Sequence, residues 1–358
     1  MLKNCTLLIV LISVFFTAES QQTATDCINY VTPPPNSWVW NTIWDFTNLK
    51  QKKVTLPSNQ WIAYGRFKGL LEYTPPGYNF NDKSVKYPLL IFFHGRSSRG
   101  EGTSDHLCRL FKDMGSDLAT HKSIPGRVER ETALFSPTDA QGKQHHFIVV
   151  SPQFTTYERY YPEPAGGNVY PSANAVDSVI NYFVNSRFKD KIDLRRIYLT
   201  GYSNGANMIT EYAGSSVERA KRVAAIVPVA LCSQLGHYSN AGITAENISN
   251  ANLKTWFIYC KDDVCGNNVS LGWVNAIKST AGNTAVPRLT TLTDNSPVAA
   301  GLYNCSDTLE HDAWSRAYDP NFKASFTGDG TGLNSSVNDG INTNMYQWLI
   351  NQQSAVLP

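Results

Sequence analysis

The sequence predicts an α/β protein with a mostly parallel central sheet covered by helices on both faces. Three observations carry that prediction. Short apolar runs recur along the chain, among them Leu89 to Phe93, Phe147 to Val150, Ile197 to Thr200, Val223 to Val229 and Trp256 to Tyr259. They are continuous rather than alternating, as expected of strands buried on both sides. Helical spacing falls between them, as in Val176, Val179, Ile180 and Phe183 at i, i+3, i+4 and i+7.

The elements follow in order. Lys3, the apolar run Cys5 to Ala18 and the polar residues after it have the pattern of a signal peptide over residues 1–21, with cleavage near Ser20 to Gln22. That run is short for a membrane span, and no later stretch of about 18 apolar residues exists. The mature chain is therefore expected outside the cytosol, secreted or periplasmic. Residues 22–60, with Pro33-Pro34-Pro35, Trp38, Trp40 and Trp44, form an irregular lead-in with room for one strand. Residues 61–358 read as one domain. Its first strand, Arg66 to Tyr73, stops at Pro75-Pro76-Gly77, a turn signal. Helices are expected at Asn204 to Tyr212 and Leu271 to Ile277, another strand at Leu289 to Leu292, and a closing helix at Met345 to Ile350.

Composition narrows the function classes. The 358 residues are 17% charged and 12% aromatic, which excludes a disordered chain, a coiled coil and a collagen-like fibre. Lys+Arg 31 against Asp+Glu 29 gives a net charge of +2, too little to gather nucleic acid or an anionic membrane. Without Cys5, six cysteines remain: Cys27, Cys108, Cys232, Cys260, Cys265 and Cys305. An even number in an exported chain points to disulfides. At least one is expected to join two of Cys232, Cys260, Cys265 and Cys305. Cys260 and Cys265 have no second short pair or histidine cluster beside them, so neither a metal nor a cofactor is expected.

The chemistry sits in Gly201-Tyr202-Ser203-Asn204-Gly205, which fits G-x-S-x-G between a strand and a helix. So sharp a turn strains its central residue and lifts the serine oxygen above the strand ends. A serine nucleophile needs a base, and the base an orienting acid, in the order Ser, Asp/Glu, His. The strand Trp256 to Tyr259 runs into Asp262-Asp263, and His311 lies downstream, so Ser203, Asp262 or Asp263, and His311 satisfy the order. His106, His121, His145, His146 and His237 precede the acid and are read as surface or structural, and His94 as shaping its loop. Oxyanion donors are expected from the backbone N–H groups of Asn204 and of Arg96, in the loop that follows Phe93-His94-Gly95.

Tyr87-Pro-Leu-Leu-Ile-Phe-Phe-His94-Gly95, the elbow Thr200 to Ala206, the strand before Asp263 and His311-Asp-Ala-Trp314 together resemble the α/β-hydrolase superfamily. More narrowly they are similar to secreted esterases of the polyhydroxybutyrate-depolymerase, feruloyl-esterase and "predicted peptidase" group. The resemblance spans about Arg66 to Trp348. It implies an α/β-hydrolase catalytic domain over 61–358, and its His-Gly-x-x-Asp pattern, here Tyr259-Cys260-Lys-Asp-Asp263, selects Asp263 over Asp262. The group's oxyanion loop is replaced by Arg96-Ser97-Ser98-Arg99-Gly100. The implied activity is a serine carboxylic ester hydrolase acting on acyl esters of carbohydrates, hydroxycinnamates or polyesters. A serine peptidase of the same fold and a catalytically silent recognition protein are the alternatives. Tyr157, Tyr160, Tyr161 and Tyr170 could line a substrate groove or pack within loops.

Overall fold

The computed structural model describes residues 27, 48–63, 66–111, 123–155, 173–232, 242–263, 268–280, 282, 286–292, 305, 311–322, 331–333 and 343–354. The signal peptide, the tryptophans of the lead-in, the four groove tyrosines, His121, His237 and Cys265 lie outside them.

Nine strands are present among the described residues: β1 (Lys52–Thr55), β2 (Phe67–Tyr73), β3 (Tyr87–Phe93), β4 (Ile148–Phe154), β5 (Ile192–Tyr202), β6 (Ala225–Val229), β7 (Lys254–Cys260), β8 (Arg288–Leu292) and β9 (Thr331–Leu333). They form one sheet in the order β1-β2-β4-β3-β5-β6-β7-β8-β9. β2 pairs antiparallel with β1 and β4, and the other pairs, from β4–β3 through β8–β9, are parallel. The helices are α1 (Ser104–Leu107), α2 (Ile124–Arg130), α3 (Ala173–Tyr182), α4 (Asn204–Ser215), α5 (Val217–Lys221), α6 (Ala245–Asn250), α7 (Val269–Ser279), α8 (Trp314–Ala317) and α9 (Met345–Ile350). The architecture is the α/β-hydrolase fold. No helix among the described residues is long and apolar enough to cross a membrane.

The apolar runs are continuous because each strand feeds two cores. On one face Leu89, Ile91 and Phe93 pack with Val176, Val179 and Ile180 of α3, Ile209 of α4 and Trp273 of α7. On the other, Leu90 and Phe92 pack with Val128 of α2, Trp314 of α8 and Trp348 and Leu349 of α9. Burying one such side chain contributes about 1.5–3 kcal/mol, so neither face can be uncovered cheaply.

One strand end differs from expectation. The run Phe147 to Val150 does not stop at Ser151-Pro152 but continues as β4 to Phe154. A proline is tolerated there because β3 pairing ends at Val150 while Pro152 lies opposite Leu70 of β2 alone. Within the lead-in, β1 pairs with β2 and extends the sheet by one edge strand. The parallel strands bring the C-terminal ends of β3, β5 and β7 to one edge of the sheet, where sites form in open α/β folds.

Candidate active site

Ser203 joins β5 to α4 with φ 52° and ψ −118°. A side chain in that region costs on the order of 1–3 kcal/mol and persists only where the surroundings impose it. Here they do. The Ser203 N–H donates to the Val229 carbonyl at 2.9 Å, and the Asn207 N–H donates to the Ser203 carbonyl at 3.1 Å. A Cβ on Gly205 would overlap the Phe93 carbonyl oxygen, and one on Gly201 would lie 2.6 Å from it. Glycine on both sides of the serine is therefore what lets the elbow press against the end of β3. Ser203 is half-buried. Behind it begins α4, whose first N–H groups, that of Asn204 included, have no acceptor within the helix and carry its positive dipole end.

The loop after β3 lies against this elbow. Gly95 packs on the Tyr202 ring, and Arg96 opens a short 3-10 turn through Ser98. His94 is buried, with its ring stacked on Phe154 at 3.7 Å. Its Nε2 accepts the Phe154 N–H at 3.1 Å, so Nδ1 carries the proton and donates to the Gly95 carbonyl at 2.7 Å. Burial, helped by the Arg99 charge, pushes its pKa down to about 3. His94 is thus a neutral structural ring and no base for Ser203.

Across the edge, His311 and Asp263 are both buried. Nδ1 of His311 lies 2.8 and 2.9 Å from the two Asp263 carboxylate oxygens. An ionised carboxylate there holds the proton on Nδ1 and leaves Nε2 as the acceptor. Of the two carboxylates that chain order leaves open, Asp263 reaches the imidazole, while Asp262 is exposed. Cys260, at the end of β7 and three residues before Asp263, is bonded to Cys305, six residues before His311. The Trp314 indole meets the His311 ring edge-on at 5.5 Å and stacks on Tyr202 at 4.4 Å, bridging to the elbow.

The structure joins His311 to Asp263 but gives no hydrogen bond from Ser203 Oγ to His311. Cys232 Sγ lies 3.8 Å from Nε2. Catalytic hydrogen bonds are often long without substrate and tighten when it binds. Cys232 is itself disulfide-bonded, to a partner outside the described residues. A second disulfide between described residues joins Cys27 to Cys108. The remaining described histidines have local partners: His145 with Asp139 at 2.7 Å, His146 with Ser136 at 2.8 Å, and His106 accepting the Glu101 N–H at 2.9 Å. No group of three metal-ligating side chains occurs among the described residues.

Sequence reasoning passed over Gln153, Asn207 and the Tyr202–Trp314 stack. Asn207 Oδ1 accepts the Cys232 N–H at 3.0 Å and so anchors the loop after β6 to the elbow helix.

No family model matches the chain, and no curated protein matches it by sequence. Solved structures with a similar fold include a thermostable esterase, aligned over 85% of this chain at 17% identity with a TM-score of 0.49. This chain spans 63% of that protein's length. A carboxylesterase from Lactobacillus plantarum aligns over 74% of this chain and 91% of its own, at 14% identity and TM-score 0.46. Thermogutta terrifontis esterase 2, in a form phosphorylated by paraoxon, aligns over 74% of this chain and 90% of its own, at 13% identity and TM-score 0.41.

Proposed function

We propose that the protein is an exported serine carboxylic ester hydrolase. Ser203 Oγ attacks the acyl carbon while His311 Nε2 takes its proton, and Asp263 stabilises the imidazolium through Nδ1. The backbone N–H groups of Asn204 and Arg96 receive the oxyanion. Collapse of the tetrahedral intermediate returns the proton to the leaving alcohol and leaves an acyl-Ser203, which water hydrolyses by the reverse sequence. The observation that carries this reading is the strained Ser203 backbone at a helix N-terminus, with φ 52°. Strain of that kind between a strand and a helix is the geometry that presents a seryl hydroxyl above the strand ends. Two disulfides between described residues support an oxidising compartment.

The test is a p-nitrophenyl ester chain-length series, with acylated sugar, hydroxycinnamate and polyester substrates beside it and a peptide substrate as the rival arm, on wild type and Ser203→Ala. Ester turnover lost in Ser203→Ala, with the peptide untouched, is the expected outcome. Peptide cleavage in place of ester turnover makes the protein a peptidase, and turnover of neither makes it a silent relative.

A further inference from the structure

We propose that Gln153 is a positioning residue for the oxyanion loop: its carboxamide, reaching from the end of β4, fixes the 96–106 segment and so aims the Arg96 N–H. The proposal rests on the ester-hydrolase reading above.

Gln153 is fully buried. Its Nε2 donates to the Ser98 carbonyl at 2.9 Å and to the His106 carbonyl at 2.6 Å, while its Oε1 accepts the Gly102 N–H at 3.1 Å. Both N–H groups and the oxygen thus go to the main chain of one loop. The amide can face only one way, because turning it over would set its oxygen against two carbonyl oxygens. The neighbouring residue grips the same loop: the Phe154 N–H donates to His94, and the Phe154 carbonyl accepts the Gly100 N–H at 3.2 Å. The β2–β4 register slips between Phe67 and Gly69, opposite Phe154 and Gln153. Such an irregularity re-aims a side chain at the end of a strand.

The link to the reacting atoms is short. Ser98, whose carbonyl Gln153 holds, closes the turn that Arg96 opens, its N–H donating to the Gly95 carbonyl at 3.3 Å. Its hydroxyl lies 3.3 Å from the Tyr202 hydroxyl, on the residue before Ser203. With the Ser98 carbonyl released, the turn can rotate about Gly95, and the Arg96 N–H moves with it. Oxyanion donors act through fixed geometry, so a displacement of about 1 Å costs up to ~100-fold in rate.

Gln153→Met keeps the length of the side chain and removes all three bonds. Gly100→Ala retains Gln153 but puts a Cβ 2.7 Å from both ends of its amide and from the His106 Cβ, so the amide must move. Both are assayed beside wild type per active site titrated with a fluorophosphonate, with Ser203→Ala compared per mole of protein, together with inhibition by an alkylboronic acid as tetrahedral analogue. The expected result is a kcat lowered about 10- to 100-fold with KM changed by less than about threefold. Boronic acid affinity should weaken in step with kcat/KM, and the pH midpoint of kcat/KM should stay in place, because His311 and Asp263 are untouched. Wild-type kcat per titrated site in folded Gln153→Met overturns the proposal, whatever its melting temperature. Should Gln153→Met not fold, wild-type kcat and boronic acid affinity in Gly100→Ala overturn it. Failure of the underlying reading looks different: wild type then turns over no better than Ser203→Ala.

Discussion

Ser203 is placed by backbone packed on backbone, whereas His311 is placed by side chains and a nearby crosslink. On the first side, Gly201 and Gly205 press against the Phe93 carbonyl, and the His94 and Gln153 side chains hold the adjoining loop by hydrogen bonds to its main chain. On the second, a carboxylate, an indole edge and the Cys260–Cys305 bond fix an imidazole that belongs to no strand. The two sides should therefore fail differently. The Ser203 turn itself cannot shift unless the centre of the sheet is unpacked. The histidine side can lose its orientation while the sheet survives.

The largest effect expected is at the proposed nucleophile. Ser203→Ala should lower turnover by about three to six orders of magnitude with the unfolding midpoint unchanged, since only an oxygen is removed from a frame held elsewhere. A fluorophosphonate should label wild type at that serine, and labelling that persists in the variant would remove Ser203 from its role. On the histidine side, Asp263→Asn should cost on the order of 10⁴ in kcat by favouring the wrong imidazole tautomer. Asp262→Asn, at an exposed position, should stay near wild type. Reversed severities, measured in one kinetic series, would transfer the role to Asp262.

Smaller effects separate the two sides more finely. Replacing Cys260 and Cys305 together by serine should cost about 2–4 kcal/mol of stability in urea titrations. It should also lower kcat between about 10- and 100-fold through a displaced His311. Unchanged kcat would mean that the carboxylate and indole suffice without the crosslink. The last effect concerns His94 and shows only in acid. The unfolded chain protonates it near 6.5, but the folded chain only near a pKa of about 3. Its contribution is therefore fully present above pH 6.5 and is lost as the pH falls toward 3, by at most ~1.4 kcal/mol per pH unit. His94→Gln should flatten that acid limb in unfolding experiments at pH 7, 5 and 4. An unaltered limb would assign the acid sensitivity to other groups.

How much of this was legible in the sequence differs by side in the same way. The elbow is written locally, because a strained turn demands glycine at fixed offsets, and the buried strands on either side announce themselves as apolar runs. Met345 to Ile350 was readable as a helix for the same reason. The proposed acid was ambiguous because Asp262 and Asp263 are adjacent in sequence, and only the turn after β7 decides which of them points inward. β1 and β9 are short edge strands whose existence depends on a neighbour rather than on their own pattern. Gln153 stayed hidden because its partners lie 47 to 55 residues away. No local spacing marks a bond across that distance.

The separation of the two sides along the chain has a consequence for when the protein becomes active. The strands that flank the elbow, β3 and β6, are complete by Val229, so the Ser203 turn can form early in synthesis. On the proposed triad its acid arrives only at residue 263 and its base only at residue 311. A growing or partly threaded chain would therefore own a nucleophile with nothing to activate it. Hydrolysis would begin only once the C-terminal part has emerged and docked, a built-in delay that would spare the esters of the cell that makes it.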